Sequence, residues 1–75
     1  MSAAREPDTF AERLQWLRER KRITRRVLSE LCGLSKNMIA RYERGEAEPN
    51  LASLIALSDF FGVSMDYIAC RGEKD

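Results

Sequence analysis

The hydrophobic residues recur at helical spacing in five short segments. Each segment begins near a residue that can cap a helix and ends near one that can stop it. The predicted N-terminal caps are Thr9, Thr24, Ser35, Asn50 and Ser64. The predicted ends are the region of Lys21 and the glycines Gly33, Gly45, Gly62 and Gly72. No alternating pattern predicts a strand, so we expect an all-α bundle of five helices joined by connections of a few residues.

Helices this short are marginally stable in isolation, so a shared hydrophobic core must hold them together. The apolar residues on one face of each predicted helix, and those beside the turns, indicate which side chains form this core. They are Leu14, Leu17, Ile23, Leu28, Cys32, Ile39, Tyr42, Leu51, Leu54, Leu57, Phe61, Val63 and Ile68.

The composition is that of one small domain, with 75 residues that are 44% hydrophobic and 33% charged. The chain has no histidine, which removes the commonest metal ligand and general base. Its two cysteines, Cys32 and Cys70, form no CxxC pair, which favours a reducing compartment. No nucleophile stands beside a base, and residues 1–10 contain no apolar signal segment. We therefore expect a cytoplasmic protein without a metal or cofactor, and not an enzyme.

The charge is nearly balanced overall but unevenly distributed. Lys and Arg number 13 against 12 Asp and Glu, for a formal net charge of +1. Residues 18–44 nevertheless hold nine of the basic side chains and only three of the acidic ones. Such a positive segment on a nearly neutral molecule suits binding to a polyanion.

Residues 24–45 read TRRVLSELCGLSKNMIARYERG, which predicts a short helix, a tight turn and a second helix. The small Ser29 would allow the two helices to approach closely, and Gly33 can adopt the positive φ of a tight turn. This is the pattern of a helix-turn-helix, whose second helix enters the DNA major groove. Lys36 and Arg41 could donate to guanine, and Asn37 could pair with adenine.

The chain resembles the Cro/repressor-type (XRE-family, lambda-repressor-like) helix-turn-helix DNA-binding domain. The motifs that carry the resemblance are Gly-Leu-Ser at 33–35, Ile-x-x-Tyr-Glu-x-Gly at 39–45, Pro-Asn-Leu at 49–51 and Phe-Gly-Val-Ser at 61–64. The likeness implies a domain over residues 9–71, with the helix-turn-helix at about 24–44 and tails at 1–8 and 72–75. It also implies a sequence-specific regulator of transcription, a repressor that binds a palindromic operator in double-stranded DNA as a dimer.

The resemblance assigns roles to particular residues of this chain. Lys36, Asn37 and Arg41 are expected to read bases. Contacts with DNA phosphates are expected from Thr24, Arg25, Arg26, Ser35, Arg44 and Asn50. Many relatives have glutamine and an acid at the positions of Arg25 and Arg26, so two arginines here should add phosphate attraction. Arg18 and Glu43 match positions where family members join the first and third helices by an ion pair.

Two groups of residues each allow two interpretations. Phe60, Met65, Tyr67 and Cys70 form the expected dimer contact, although Tyr67 could instead cover the core of its own chain. Trp16, Val27 and Leu31 are apolar where relatives are usually polar, and they predict either a cluster between helices 1 and 2 or an exposed patch for a second protein. The second alternative would favour a protein-interaction module, such as an antitoxin or coactivator, with a secondary DNA contact.

Overall fold

The computed structural model describes residues 7–70 and contains five α-helices, with no strand in that range. The helices are α1 (Phe10–Arg20), α2 (Arg25–Leu31), α3 (Met38–Glu43), α4 (Leu51–Phe61) and α5 (Met65–Ile68). The predicted all-α fold of five helices is therefore confirmed.

Four of the five predicted N-terminal caps are confirmed. In each, a side-chain oxygen accepts a hydrogen bond from the backbone N–H three residues further along, which satisfies a donor that the helix leaves unpaired. The bonds run to Thr9 from Glu12 at 3.2 Å, to Thr24 from Val27 at 3.1 Å, to Asn50 from Ser53 at 2.9 Å and to Ser64 from Tyr67 at 3.0 Å.

The predicted cap at Ser35 is wrong. The backbone turns once more after Ser35, whose carbonyl accepts the Met38 N–H at 3.0 Å, and α3 begins only at Met38. Asn37 occupies the cap position without a side-chain cap bond. The Ile39 N–H instead donates a hydrogen bond, at 3.4 Å, to the hydroxyl of the buried Ser29 on α2. The start of α3 is thus capped by the neighbouring helix.

The glycine stops at positions 33, 45 and 62 are confirmed, with φ angles of 74°, 76° and 70°. The first helix ends at Arg20, close to the expected end near Lys21. The last helix ends at Ile68, earlier than expected, and Gly72 lies outside the described residues.

The core is formed by side chains from all five helices. Its buried members are Leu14, Leu28, Ile39, Tyr42, Leu57 and Ile68. The other predicted core residues pack against them as partly buried side chains, except for Leu51. Leu51 is 64% exposed, so its prediction as a core residue is wrong. It is the first residue of α4 and lies at the edge of the bundle, whereas Ala47 of the preceding loop packs against the core.

The short α5 is joined to α1 by a buried arginine. Arg13 donates to the carbonyl of Tyr67 at 2.6 Å and to that of Pro7 at 2.6 and 3.1 Å. Its guanidinium also lies 4.3 Å from the centre of the Tyr67 ring, as a cation–π contact. A four-residue helix has little stability of its own, so this arginine helps to fix α5 on the bundle.

A second buried arginine joins α1 to α3. Arg18 Nε lies 2.6 Å from Glu43 Oε2, and its Nη2 lies 3.2 Å from Oε1 of the same carboxylate. The side chains are only 9% and 2% exposed. Arg18 also donates to the carbonyl of Ile23 at 2.8 Å, and Arg25 Nε lies 2.9 Å from Glu43 Oε1. The ion pair implied by the resemblance is therefore present, and it includes a third member.

Glu43→Gln should lower the free energy of unfolding by about 3 kcal/mol, because it leaves the Arg18 guanidinium charged and buried without its counter-ion. Urea unfolding followed by circular dichroism measures the change. The control is Arg25→Ala, which removes a half-exposed partner of the same carboxylate and should cost less than about 1 kcal/mol. Equal losses for the two variants would contradict the central role of the Arg18–Glu43 pair.

Ser29→Ala should lower the free energy of unfolding by about 1 kcal/mol, because the Ile39 N–H loses its hydrogen-bond acceptor. Ser35→Ala is the matched control. The Ser35 side chain is exposed and caps no helix, so this variant should stay within about 0.5 kcal/mol of the parent. A larger loss for Ser35→Ala than for Ser29→Ala would restore Ser35 as the cap of α3.

Candidate nucleic-acid interface

The three expected base-reading residues lie together at the exposed start of α3. Lys36 and Asn37 are in the turn that precedes the helix, and Arg41 is one turn further along. The Arg41 N–H donates to the Asn37 carbonyl at 3.2 Å, which places residues 37 and 41 on the same face. Within residues 7–70 none of the three side chains has a hydrogen bond or an ion pair. They are therefore available to an external ligand.

The opposite face of α3 is buried. Ile39 and Tyr42 belong to the core, and Met38 is partly buried against it. The turn between α2 and α3 is fixed by a hydrogen bond of 2.8 Å from the Leu34 N–H to the Ser29 carbonyl. The two helices therefore hold the polar face of α3 outward, as a helix-turn-helix requires.

The expected phosphate-binding arginines, unlike Lys36 and Arg41, are already paired. Arg25 binds Glu43, and Arg26 Nε lies 3.7 Å from Glu30 Oε2 one turn along α2. Arg44 contacts both oxygens of Glu46, at 2.9 and 3.2 Å. These pairs are at least half exposed on the arginine side, so each guanidinium can exchange its carboxylate for a phosphate at small cost.

The three other expected phosphate contacts are neutral. Thr24 and Asn50 use their side-chain oxygens to cap α2 and α4. Ser35 is exposed in the turn before α3. Sequence reasoning missed the carboxylates that pair with the expected phosphate-binding arginines, which are Glu43 for Arg25, Glu30 for Arg26 and Glu46 for Arg44. The short spacing of Arg44 and Glu46 is a signal that could have revealed one of them.

Glu46 is an acidic group close enough to Arg41 of the candidate reading surface for their charges to interact. The hydrogen bond from Arg44 holds the pKa of the Glu46 carboxyl below its usual value, and the charges of Arg44 and Arg41 lower it further. The same bond raises the pKa of Arg44. Glu46 is therefore ionised at neutral pH, and its charge opposes the approach of an anion to Arg41.

Side chains that could hold a metal ion, and thiols, are the remaining candidate groups in the described part of the chain. Residues 7–70 contain no group of three metal-binding side chains, and Cys32 is a free thiol. Burial raises the pKa of the Cys32 thiol, which lies 3.9 Å from the Ala56 carbonyl. No described helix is long and apolar enough to cross a bilayer.

Of the three apolar side chains that predict either a cluster between α1 and α2 or an exposed patch, two are exposed. Val27 is 39% exposed and Leu31 is 60% exposed, because α2 turns Leu28 and Ser29 toward the core and these two residues away from it. Trp16 is partly buried, and the Arg20 guanidinium stacks on its ring at 4.7 Å. The interpretation as an exposed patch remains.

The expected dimer contact contains both covered and open side chains. Phe60 packs edge-to-face on Phe61, with ring centres 5.0 Å apart, and Tyr67 is covered by Arg13. Met65 is 38% exposed, and Cys70 is partly buried. Contact between two copies at this surface stays a prediction.

A family model described as helix-turn-helix matches residues 14–68. The chain is 40% identical over 57 residues to the HTH-type transcriptional activator BcrR of Enterococcus faecalis, a match that covers 76% of this chain and 28% of BcrR. It is 37% identical over 59 residues to repressor protein C2 of Salmonella phage P22, with 79% and 27% of the two chains covered. A third relative, the regulator YqaE of Bacillus subtilis, is 32% identical over 66 residues, which cover 88% of this chain and 56% of YqaE.

The fold is also that of a solved repressor. The crystal structure of the P22 c2 repressor in complex with synthetic operator 9T superposes with a TM-score of 0.77 and 34% identity, over 83% of this chain and 94% of that one. The matched segment spans between about a quarter and about half of the curated relatives described above. From its fold, its motifs and these matches, the chain belongs to the helix-turn-helix family, as a domain of the Cro/repressor type.

Proposed function

We propose that this chain is a sequence-specific double-stranded DNA-binding domain of a transcriptional regulator. The observation that carries the proposal is that the side chains of Lys36 and Asn37, in the turn before α3, and of Arg41, on the helix, are exposed and unpaired within residues 7–70. A helix that, with the turn before it, displays two free cations and a free amide has the donors that base edges in the major groove accept. The operator bound by the P22 c2 repressor, a structural neighbour of 34% identity, supports the same partner.

The mechanism is binding without a chemical step. Lys36 and Arg41 donate to guanine O6 and N7, and Asn37 forms two hydrogen bonds with adenine. Arg25, Arg26 and Arg44 exchange their carboxylates for DNA phosphates, and Thr24, Ser35 and Asn50 add contacts to the backbone. In this proposal the protein acts in the cytoplasm and represses transcription by occupying its operator.

Two copies bind a palindromic operator as a homodimer. The longest extent of the described chain is 33 Å, so neighbouring copies fit on half-sites about 34 Å apart without overlap. Phe60, Met65, Tyr67 and Cys70 supply the contact between them. Selection of bound sequences from random duplex DNA tests this arrangement, since a palindrome reports the symmetry and the half-site spacing together.

The second candidate function is a protein-interaction module of antitoxin or coactivator type, with secondary DNA contact. The exposure of Val27 and Leu31 on α2 favours it, because both are apolar and lie one turn apart. Replacing both by serine separates the two functions. It leaves both DNA binding and regulation intact if the chain is an autonomous repressor, and abolishes regulation with DNA binding retained if the chain is an adaptor.

Lys36→Ala and Arg41→Ala should each weaken binding to the selected operator by roughly 5- to 150-fold, because each removes donors to a base edge. Fluorescence anisotropy with the operator and with a scrambled duplex measures the effect. The control is Arg26→Ala, which should weaken both duplexes about equally by loss of a phosphate contact. Operator binding at about 150 mM salt that is insensitive to both Lys36→Ala and Arg41→Ala would rule out α3 as the reading helix.

Glu46→Gln should tighten binding to any duplex by roughly two- to fivefold at low salt. The substitution removes the negative charge beside Arg41 and frees the Arg44 guanidinium for phosphate. Anisotropy titrations at several salt concentrations measure it. Asp59→Asn is the matched control, because it also removes one exposed negative charge, but Asp59 lies on α4 and forms no ion pair with Arg25, Arg26 or Arg44 within residues 7–70. Unchanged or weaker binding by Glu46→Gln would contradict the competition between carboxylate and phosphate.

A further inference from the structure

The end of α1 has the same backbone turn as three other helices, but with an arginine where they have glycine. The Arg22 N–H donates to the Glu19 carbonyl at 3.0 Å, and the Ile23 N–H donates to the Arg18 carbonyl at 3.5 Å. Arg22 therefore has a φ of 60°, in the left-handed region. A side chain in this conformation strains the backbone, and glycine relieves the strain. The chain keeps an arginine at a position where stability alone favours glycine.

Arg22 also differs from its two cationic neighbours. Arg20 stacks on Trp16, and the Lys21 ammonium lies 5.9 Å from the centre of the Phe60 ring. The Arg22 side chain is exposed and has no ion pair, hydrogen bond or ring contact within residues 7–70. The three cations line an open groove of about 580 Å³ in which the single carboxylate is that of Glu19. The groove is thus positive, and the Arg22 guanidinium is available in it.

The linker that contains Arg22 is fastened to the reading helix. Arg18 binds the Ile23 carbonyl at 2.8 Å and the Glu43 carboxylate at 2.6 Å. Arg25, on the other side of the linker, binds the same carboxylate at 2.9 Å. Residues 22–25 therefore lie beside the C-terminal end of α3.

We propose that Arg22 binds a DNA phosphate on the backbone that flanks the groove occupied by α3. The inference rests on the proposed function. The major groove is about 12 Å wide and has a phosphate backbone on each side, so residues beside the end of a helix in this groove lie next to one of them. A guanidinium can give a phosphate two parallel hydrogen bonds. The contact with DNA thus accounts for an arginine in a strained conformation.

Arg22→Gly tests the proposal with two measurements that change in opposite directions. The melting temperature should rise by roughly 2–5 °C, because glycine relieves the left-handed strain. The dissociation constant for a mixed-sequence duplex of about 20 base pairs should rise about three- to tenfold at about 100 mM KCl. The slope of log K against log[KCl] should also become shallower by about 0.9, the value for one lost phosphate contact. A residue with only a structural role would not produce this combination.

Two control variants isolate the contact. Arg22→Lys keeps the charge and should retain the parent salt slope. Arg20→Ala removes the same charge from a side chain already stacked on Trp16, and its slope should stay within about 0.3 of the parent. The proposal is overturned if Arg22→Gly leaves affinity and slope unchanged, if it lowers the melting temperature, or if Arg20→Ala has an equal effect on the slope. Failure of the parent chain to bind duplex DNA at any salt concentration would instead overturn the proposed function.

Discussion

The orientation of the candidate reading helix depends on one buried carboxylate. Glu43 is 2% exposed in its side chain and accepts hydrogen bonds from Arg18 and Arg25. Taking these charges out of water is costly, and the attraction between them offsets the cost only with good geometry and further hydrogen bonds. Arg18 supplies one such bond, to the Ile23 carbonyl. The network therefore contributes less to net stability than to the placement of α3 against α1 and the linker.

The small size of the domain explains why such polar contacts matter. Three of its helices have only seven, six and four residues, and helices of that length do not persist alone. The hydrophobic core can hold them in place but fixes their rotation and register poorly, because apolar contacts have little directionality. Hydrogen bonds from buried side chains to the backbone supply that direction. Arg13 fixes α5, Arg18 fixes the α1–α2 linker, and Ser29 fixes the start of α3.

The sequence predicts what is decided locally. The caps at Thr9, Thr24, Asn50 and Ser64 were predictable because donor and acceptor lie three residues apart. The glycine turns were predictable because few other residues adopt a positive φ. Helical spacing likewise identified all six buried apolar residues of the core.

The contacts that the sequence could not predict join residues that are far apart along the chain. The cap of α3 comes from a serine ten residues earlier, and the Arg13 bond to Tyr67 spans 54 residues. The unpaired state of the cations at the candidate site also depends on residues that are distant along the chain. Lys36 and Arg41 could be selected from motif position, but that neither is paired with a carboxylate among residues 7–70 is visible only in three dimensions. The exposure of Leu51 and Leu31 also depends on how each helix is rotated against its neighbours.

The formal net charge of the protein is only +1, so its binding to a polyanion depends on which of its cations are already paired with carboxylates. A phosphate that binds Arg44 must displace Glu46, and one that binds Arg25 must compete with Glu43. Such an exchange replaces one ion pair by another, so it adds little affinity and releases fewer counterions than a contact made by a free cation. Counting arginines therefore overestimates the sequence-independent attraction to DNA. Within residues 7–70 Lys36 and Arg41 have no ion pair to break, so they can donate to base edges directly, although the nearby charge of Glu46 weakens the attraction of Arg41 for an anion. Because the expected phosphate-binding arginines are paired and the expected base-reading cations are not, this nearly neutral domain favours discrimination between DNA sequences over sequence-independent affinity for DNA.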